Sequence, residues 1–290
     1  MTSTLAAGVG GTGGWHALAW AVDEASAAGA QVKVHRVCRA GSALADAAAD
    51  PSPARIELAD PALARAVAAA RTQLGGHRVS LSLPTGDPGR ELTRAGDGAS
   101  LLVIGAPAAV RRHAGDIVIH VAEHAHCPVV VVRPAGRDAT GPFAGRVVIG
   151  VDGHSGGQAA MRFGFGYAAR HGLPVACVYV DAHETGPDWY DDSTGVLQEP
   201  ADPAGRHLLR TQVEPWRQRF PAVPVLLAVL AGPAVDGLLR AGAGSRLLVI
   251  GNHRRGPAGR LATGNTTRAV LDRAPQPVAV THDDDEGETW

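Results

Sequence analysis

The sequence predicts an α/β protein of two tandem domains, each a doubly wound, five-stranded parallel sheet, and three observations carry that prediction. The chain is written twice: "LLVIG" at Leu101–Gly105 recurs at Leu247–Gly251, with "LTRA" (Leu92–Ala95) and "LLRA" (Leu238–Ala241) leading into the two copies. The strand-like runs are apolar with almost no alternation, so helices must cover both faces of the sheet. Hydrophobic residues make up 45% of the chain but aromatics only 4%, so the cores are built from Ala, Val and Leu. Two copies are too few for a solenoid, so each is a domain.

The first copy opens with "AAGVGGTGG" (Ala6–Gly14), an apolar strand running into glycines. Its second strand is "VKVHRV" (Val32–Val37), a later one is "LLVIG", and "PVVVV" (Pro128–Val132) closes it. From Arg133 to Gly145 the chain is rich in Pro and Gly without periodicity, which places a linker at 135–145 between domains at 1–134 and 146–282. In the second copy, β-branched runs predict strands at Val147–Val151, Val175–Val180, Val223–Val229, Leu247–Ile250 and Val278–Thr281. Helical patterns fall between them at Gln158–Arg170, Pro203–Phe220, Pro233–Ala241 and Thr266–Arg273. Strands alternating with helices, joined by right-handed crossovers, give a Rossmann-like sheet. Residues 283–290 read as a frayed acidic tail. The prolines that open "PVVVV" and "PVAV" suit edge strands, which suggests that the two domains pair through them within one chain, with a homodimer as a further arrangement.

Composition excludes several classes. With 27 Lys+Arg against 28 Asp+Glu in 290 residues, the formal charge is −1, and no basic surplus points to nucleic acid. Cys38, Cys127 and Cys177 show neither CxxC spacing nor an even count, so a disulfide framework or zinc knuckle is not expected. There is no 18-residue apolar run and no basic, apolar leader, so a soluble cytoplasmic protein is expected.

Open α/β sheets bind ligands beyond the carboxyl ends of their strands, where strand order reverses. In the second copy two loops lie there, "DGHSGG" (Asp152–Gly157) and "GNHRRGPAGRLATGNTT" (Gly251–Thr267). The second is rich in glycine, carries arginines and hydroxyls, and opens into a helix whose N-terminal amides attract anions. Its residues Asn265, Thr266 and Thr267 suit either a helix cap or a phosphate contact.

These features resemble the universal stress protein family in its tandem two-domain form, over nearly the whole chain. Nucleotide-binding members carry an Asp at the end of strand one and, later, Gly-x2-Gly-x9-Gly-Ser/Thr. The resemblance implies ATP, with or without Mg, in the second domain. Asp152, preceded by Val151, would meet the adenine end and Val180 would flank the ring. Gly251, His253, Gly264, Asn265, Thr266 and Thr267 would surround the phosphates. Arg254 replaces the second glycine and Asn265 the hydroxyl; the Arg254 guanidinium can instead grip a phosphate. In the first copy Gly10 stands where the Asp should be. Counting forward from Gly105 places Ala108, Val118 and Ile119 where glycines and hydroxyl belong, so that domain is expected to keep only the fold. The implied function is adenine-nucleotide sensing in the stress response, with at most slow ATP hydrolysis; the alternative is an interaction scaffold that binds no nucleotide.

Three other motifs compete. Gly153-His154-Ser155-Gly156-Gly157 fits the nucleophile elbow G-x-S-x-G, which would make Ser155 a hydrolase nucleophile with Asp236 and His253 or His282. The first copy has "GTGGW" at this place, and a helix-capping turn explains the second copy equally. The run from Gly8 to Gly13 fits G-x-G-x-x-G, but strand two lacks the acidic residue that would hold a ribose. His120-Val-Ala-Glu-His124 fits H-x-x-E-H, whose spacing puts both imidazoles on one helix face without supplying a third metal ligand.

Overall fold

The structure, a computed structural model, describes residues 3–11, 13–107, 114–134, 140–152, 157–182, 188–191, 203–252 and 264–282. These fall into two compact units, one within Met1–Pro134 and one within Ala135–Thr289.

The first unit runs β1 (Thr4–Gly8), α1 (Gly14–Ala28), β2 (Gln31–His35), α2 (Ala43–Ala48), α3 (Pro53–Ala59), α4 (Pro61–Leu74), β3 (Val79–Ser82), α5 (Pro88–Gly96), β4 (Leu101–Gly105), α6 (Asp116–His124) and β5 (Val129–Val132). Its strands lie in the order β3-β2-β1-β4-β5, all parallel. Local signals set its helix starts. Proline opens α3, α4 and α5, and the side chains of Ser52, Asp60 and Asp87 accept from backbone amides of the first turn.

The second unit runs β6 (Val147–Val151), α7 (Gly157–His171), β7 (Val175–Asp181), β8 (Trp189–Asp191), α8 (Pro203–Arg219), β9 (Val225–Ala231), α9 (Ala234–Gly242), β10 (Leu247–Asn252), α10 (Gly264–Arg273) and β11 (Val278–His282). Its order is β11-β10-β6-β7-β9-β8. The expected five parallel strands are present, and a sixth departs from expectation: β8 pairs antiparallel with β9, Tyr190 opposite Ala228. Asp188, just before β8, accepts from the Ala231 amide at 3.1 Å and from Arg240 at 2.9 Å.

Both sheets bury their centres completely. Leu5 and Ala7 of β1, Leu102 and Val103 of β4, and Val147, Val148 and Ile149 of β6 are fully enclosed. The few aromatics concentrate in the second unit, where Phe165 of α7 lies 6.0 Å from Trp216 of α8 and 5.8 Å from Phe220, centroid to centroid. No helix among the described residues is long and apolar enough to cross a membrane. Cys38, Cys127 and Cys177 form no disulfide, and all three are buried.

Candidate functional site

In the second unit the chain leaves β6 for β7 on one side and returns as β10 on the other, so strand order reverses between β6 and β10. Their paired register runs from Val147↔Leu247 to Ile149↔Val249, two residues short of the end of β6. Past that point sit buried Val151 and exposed Asp152, whose Oδ1 would lie 4.0 Å from a Cβ built on Gly157, the first residue of α7. A Cβ built on Gly150 would come within 2.9 Å of the Leu238 side chain of α9. Val180 is half-buried near the carboxyl end of β7, against α9, where a Cβ on Gly237 would fall 2.6 Å from it.

The other wall differs in detail from expectation. β10 does not stop at Ile250; parallel pairing with β11 carries it on through Gly251↔Thr281 and Asn252↔His282, so Gly251 is a strand residue. The following helix starts at Gly264, two residues earlier than expected, which places Asn265 and Thr266 in its first turn. Thr266 is exposed and Thr267 is 5% exposed, and no acidic residue occupies that turn. Topology therefore gathers Val151, Asp152, Gly251 and the α10 N-terminus at the carboxyl edge of one sheet. His253, Arg254 and Ser155 lie outside the described residues. Two buried polar residues were not anticipated. Asn252 and His282, 8% and 1% exposed, face each other in register where β10 and β11 end. The sequence signal was a polar residue closing each of two apolar runs.

The first unit corrects one reading. Val118 and Ile119 do not stand at the glycine and hydroxyl positions, because α6 begins at Asp116 with Gly115 as its cap, at φ +93°. Gly115 stands as far before Pro128 as Gly264 does before Pro277. The glycine is thus retained, and Asp116, Ile117 and Val118 replace Asn265, Thr266 and Thr267. Counting forward from the strand missed this, since the shorter loop shifts the helix register. Ala108 lies outside the described residues. At the same edge of this sheet is a cleft of about 640 Å³, lined by the glycines after β1, by His35 at the end of β2 and Arg36 after it, and by the start of α6. Burial, with Lys33 adding to it, lowers the His35 pKa from 6.5 to about 4, which leaves the ring neutral.

The competing motifs find structural explanations. Gly13 is required by the Ala106 carbonyl at 2.4 Å, and Gly8 packs against the Leu92 side chain at 2.9 Å, each measured from a Cβ built on the glycine. Two of the three fingerprint glycines, Gly8 and Gly13, are thus packed against α5 and the chain after β4, while Gly10 meets only Arg36 at 3.4 Å. His120 and His124 stack at 4.4 Å between centroids, and among the described residues no three metal-ligating side chains cluster. Asp236, the acid of the hydrolase reading, pairs with Arg273 at 2.9 Å.

Comparison with known proteins agrees with this layout. The model of the universal stress protein family matches residues 1–133 and 144–282. The universal stress protein Rv2005c of Mycobacterium tuberculosis is 26% identical over 233 residues, covering 75% of each chain. Another from that organism, Rv2623, is 25% identical over 185 residues, covering 63% of this chain and 61% of its own. A crystal structure of a universal stress protein from Archaeoglobus fulgidus superposes on 97% of this chain and 98% of its own with a TM-score of 0.68, at 14% identity, a likeness of fold. Two matches to one family model, in the order of the two repeats, decide the matter: this chain belongs to the universal stress protein family, in its tandem two-domain form.

Proposed function

We propose that the second unit binds an adenine nucleotide, ATP, in the crevice between the carboxyl ends of β6 and β10, and that the chain works as a stress-response sensor rather than a fast enzyme. The observation that carries this reading is the α10 N-terminus, free of acidic residues in its first turn and bearing Thr266 and Thr267, on the same sheet edge as Asp152. Unpaired amides at the start of α10 and its positive dipole end suit phosphate oxygens, and Gly251 permits close approach. Asp152, in the role its family counterpart plays, accepts a hydrogen bond from the adenine end, while Val151 and Val180 give the ring apolar contact. Mg accompanying the phosphates would supply charge neutralisation. Neither Asp152 nor the helix amides form a base-and-water arrangement suited to rapid phosphoryl transfer, so turnover is expected to be slow.

Calorimetric titration of the full chain with ATP and Mg tests the reading. Asp152→Ala is expected to weaken binding about tenfold, the worth of one hydrogen bond to a charged group. Silence at millimolar ATP, or equal affinity in that variant, refutes the proposal and returns the chain to the reading of an interaction scaffold.

A further inference from the structure

The two copies place the same strands and helix around the same sheet edge, yet the first has exchanged the carboxylate and the hydroxyls that the second sets there. Where the second has Asp152, the first has Gly10; where α10 offers Thr266 and Thr267, α6 offers Ile117 and Val118. Asp116 lies in the first turn of α6 and sets a carboxylate against the dipole end that would attract an anion. Arg36, the one arginine or lysine among the cleft's described lining residues, does not compensate. Arg36 donates to the Val9 carbonyl at 3.2 Å and pairs with Asp60 at 3.6 Å, so its charge is already engaged. The cleft has not closed. Its volume of about 640 Å³ is that of a small-molecule site, and its walls include Val9, Leu92, Ile104, Ile117 and Val118. Ile117 at its edge is 45% exposed, a large apolar side chain left in water.

One polar group in this lining stands out. His35 is 7% exposed and its Nε2 has no hydrogen-bond partner. An imidazole nitrogen buried without a partner is costly, by the desolvation that a made bond would offset. His35 is among the residues that line the cleft, with Arg36 and the glycines after β1, and it also borders a smaller hollow beside Lys33 and Glu91. We propose that the cleft of the first unit is a second ligand site, which takes a small, uncharged, largely apolar molecule bearing a single hydrogen-bonding group and rejects nucleotides. This assignment is independent of nucleotide binding in the second unit. It explains why the repeat kept the glycine turn and the hollow while discarding the carboxylate and hydroxyls: the cavity changed its ligand class instead of filling in.

N-phenyl-1-naphthylamine tests this, being uncharged, apolar, equipped with one N–H, and fluorescent only out of water. With the full chain, a saturable rise in fluorescence is expected, approaching one dye per chain and not reversed by millimolar ATP. Ile117→Asp, at an exposed position that tolerates charge, is expected to raise the dissociation constant about tenfold by placing a carboxylate at the apolar mouth. Val118→Trp, which fills the hollow, is expected to abolish the rise, with circular dichroism confirming an intact fold. No saturable rise, an unchanged rise in Ile117→Asp, or displacement of the dye by ATP overturns the proposal.

Discussion

His35 shows how one side chain links burial to stability. Its ring is held neutral in the fold, with a pKa of about 4 against 6.5 when exposed, because burial and Lys33 disfavour the imidazolium. The unfolded chain therefore binds a proton between those values that the folded chain does not. Stability from this group is complete above pH 6.5 and is lost as pH falls toward 4, by at most about 3 kcal/mol. Melting temperatures of wild type and His35→Gln, compared at pH 7 and pH 4.5, check this: the wild type should lose more on acidification than the variant. Equal losses would show that His35 is solvated. None of this was legible in "VKVHRV", where alternation placed Lys33 and His35 on one face but could not say that His35 would be enclosed.

At the scale of elements, the repeat is preserved down to single contacts. A Cβ on Gly8 would meet Leu92 at 2.9 Å, and a Cβ on Gly150 would meet Leu238 at 2.9 Å; Ile104 and Ile250 flank them in turn. The loop after β1 packs more tightly still. A Cβ on Gly105 would fall 2.1 Å from the Gly13 carbonyl carbon, backbone against backbone, where no side chain can swing aside. Gly105→Ala is expected to cost about 2–4 kcal/mol in urea denaturation, while Gly76→Ala, with open space around it, stays within about 0.5 kcal/mol. A neutral Gly105→Ala would mean that the turn is loosely held. The strands and helices of the second copy were readable to within about two residues because their periods and breakers are local. Strand β8 was not, since three residues "WYD" carry no period and become a strand only against β9. The glycine position before α6 was misplaced at Val118 for a related reason: loop length, invisible to a count from one side, decides helix register.

At the scale of the whole chain, duplication followed by divergence leads to a stoichiometric expectation. Two homologous sheets could bind two nucleotides; under the proposed function, the acid at the first turn of α6 and Gly10 in place of Asp152 favour the second edge. Titration of the full chain with ATP is expected to saturate at one nucleotide per chain. Two equivalents would show that the first unit kept the ancestral ligand after all.

The sequence by itself determined the two-copy architecture, the order of the five parallel strands and their helices in the second copy, and the position of Asp152, because hydrophobic period, glycine turns and self-similarity are written locally along the chain. Only the tertiary structure decided that β10 runs past Gly251, that Asn252 meets His282, and that the first copy keeps an open cleft with a buried, neutral His35. Those outcomes depend on which segments pack against one another, and burial belongs to the neighbourhood that packing creates.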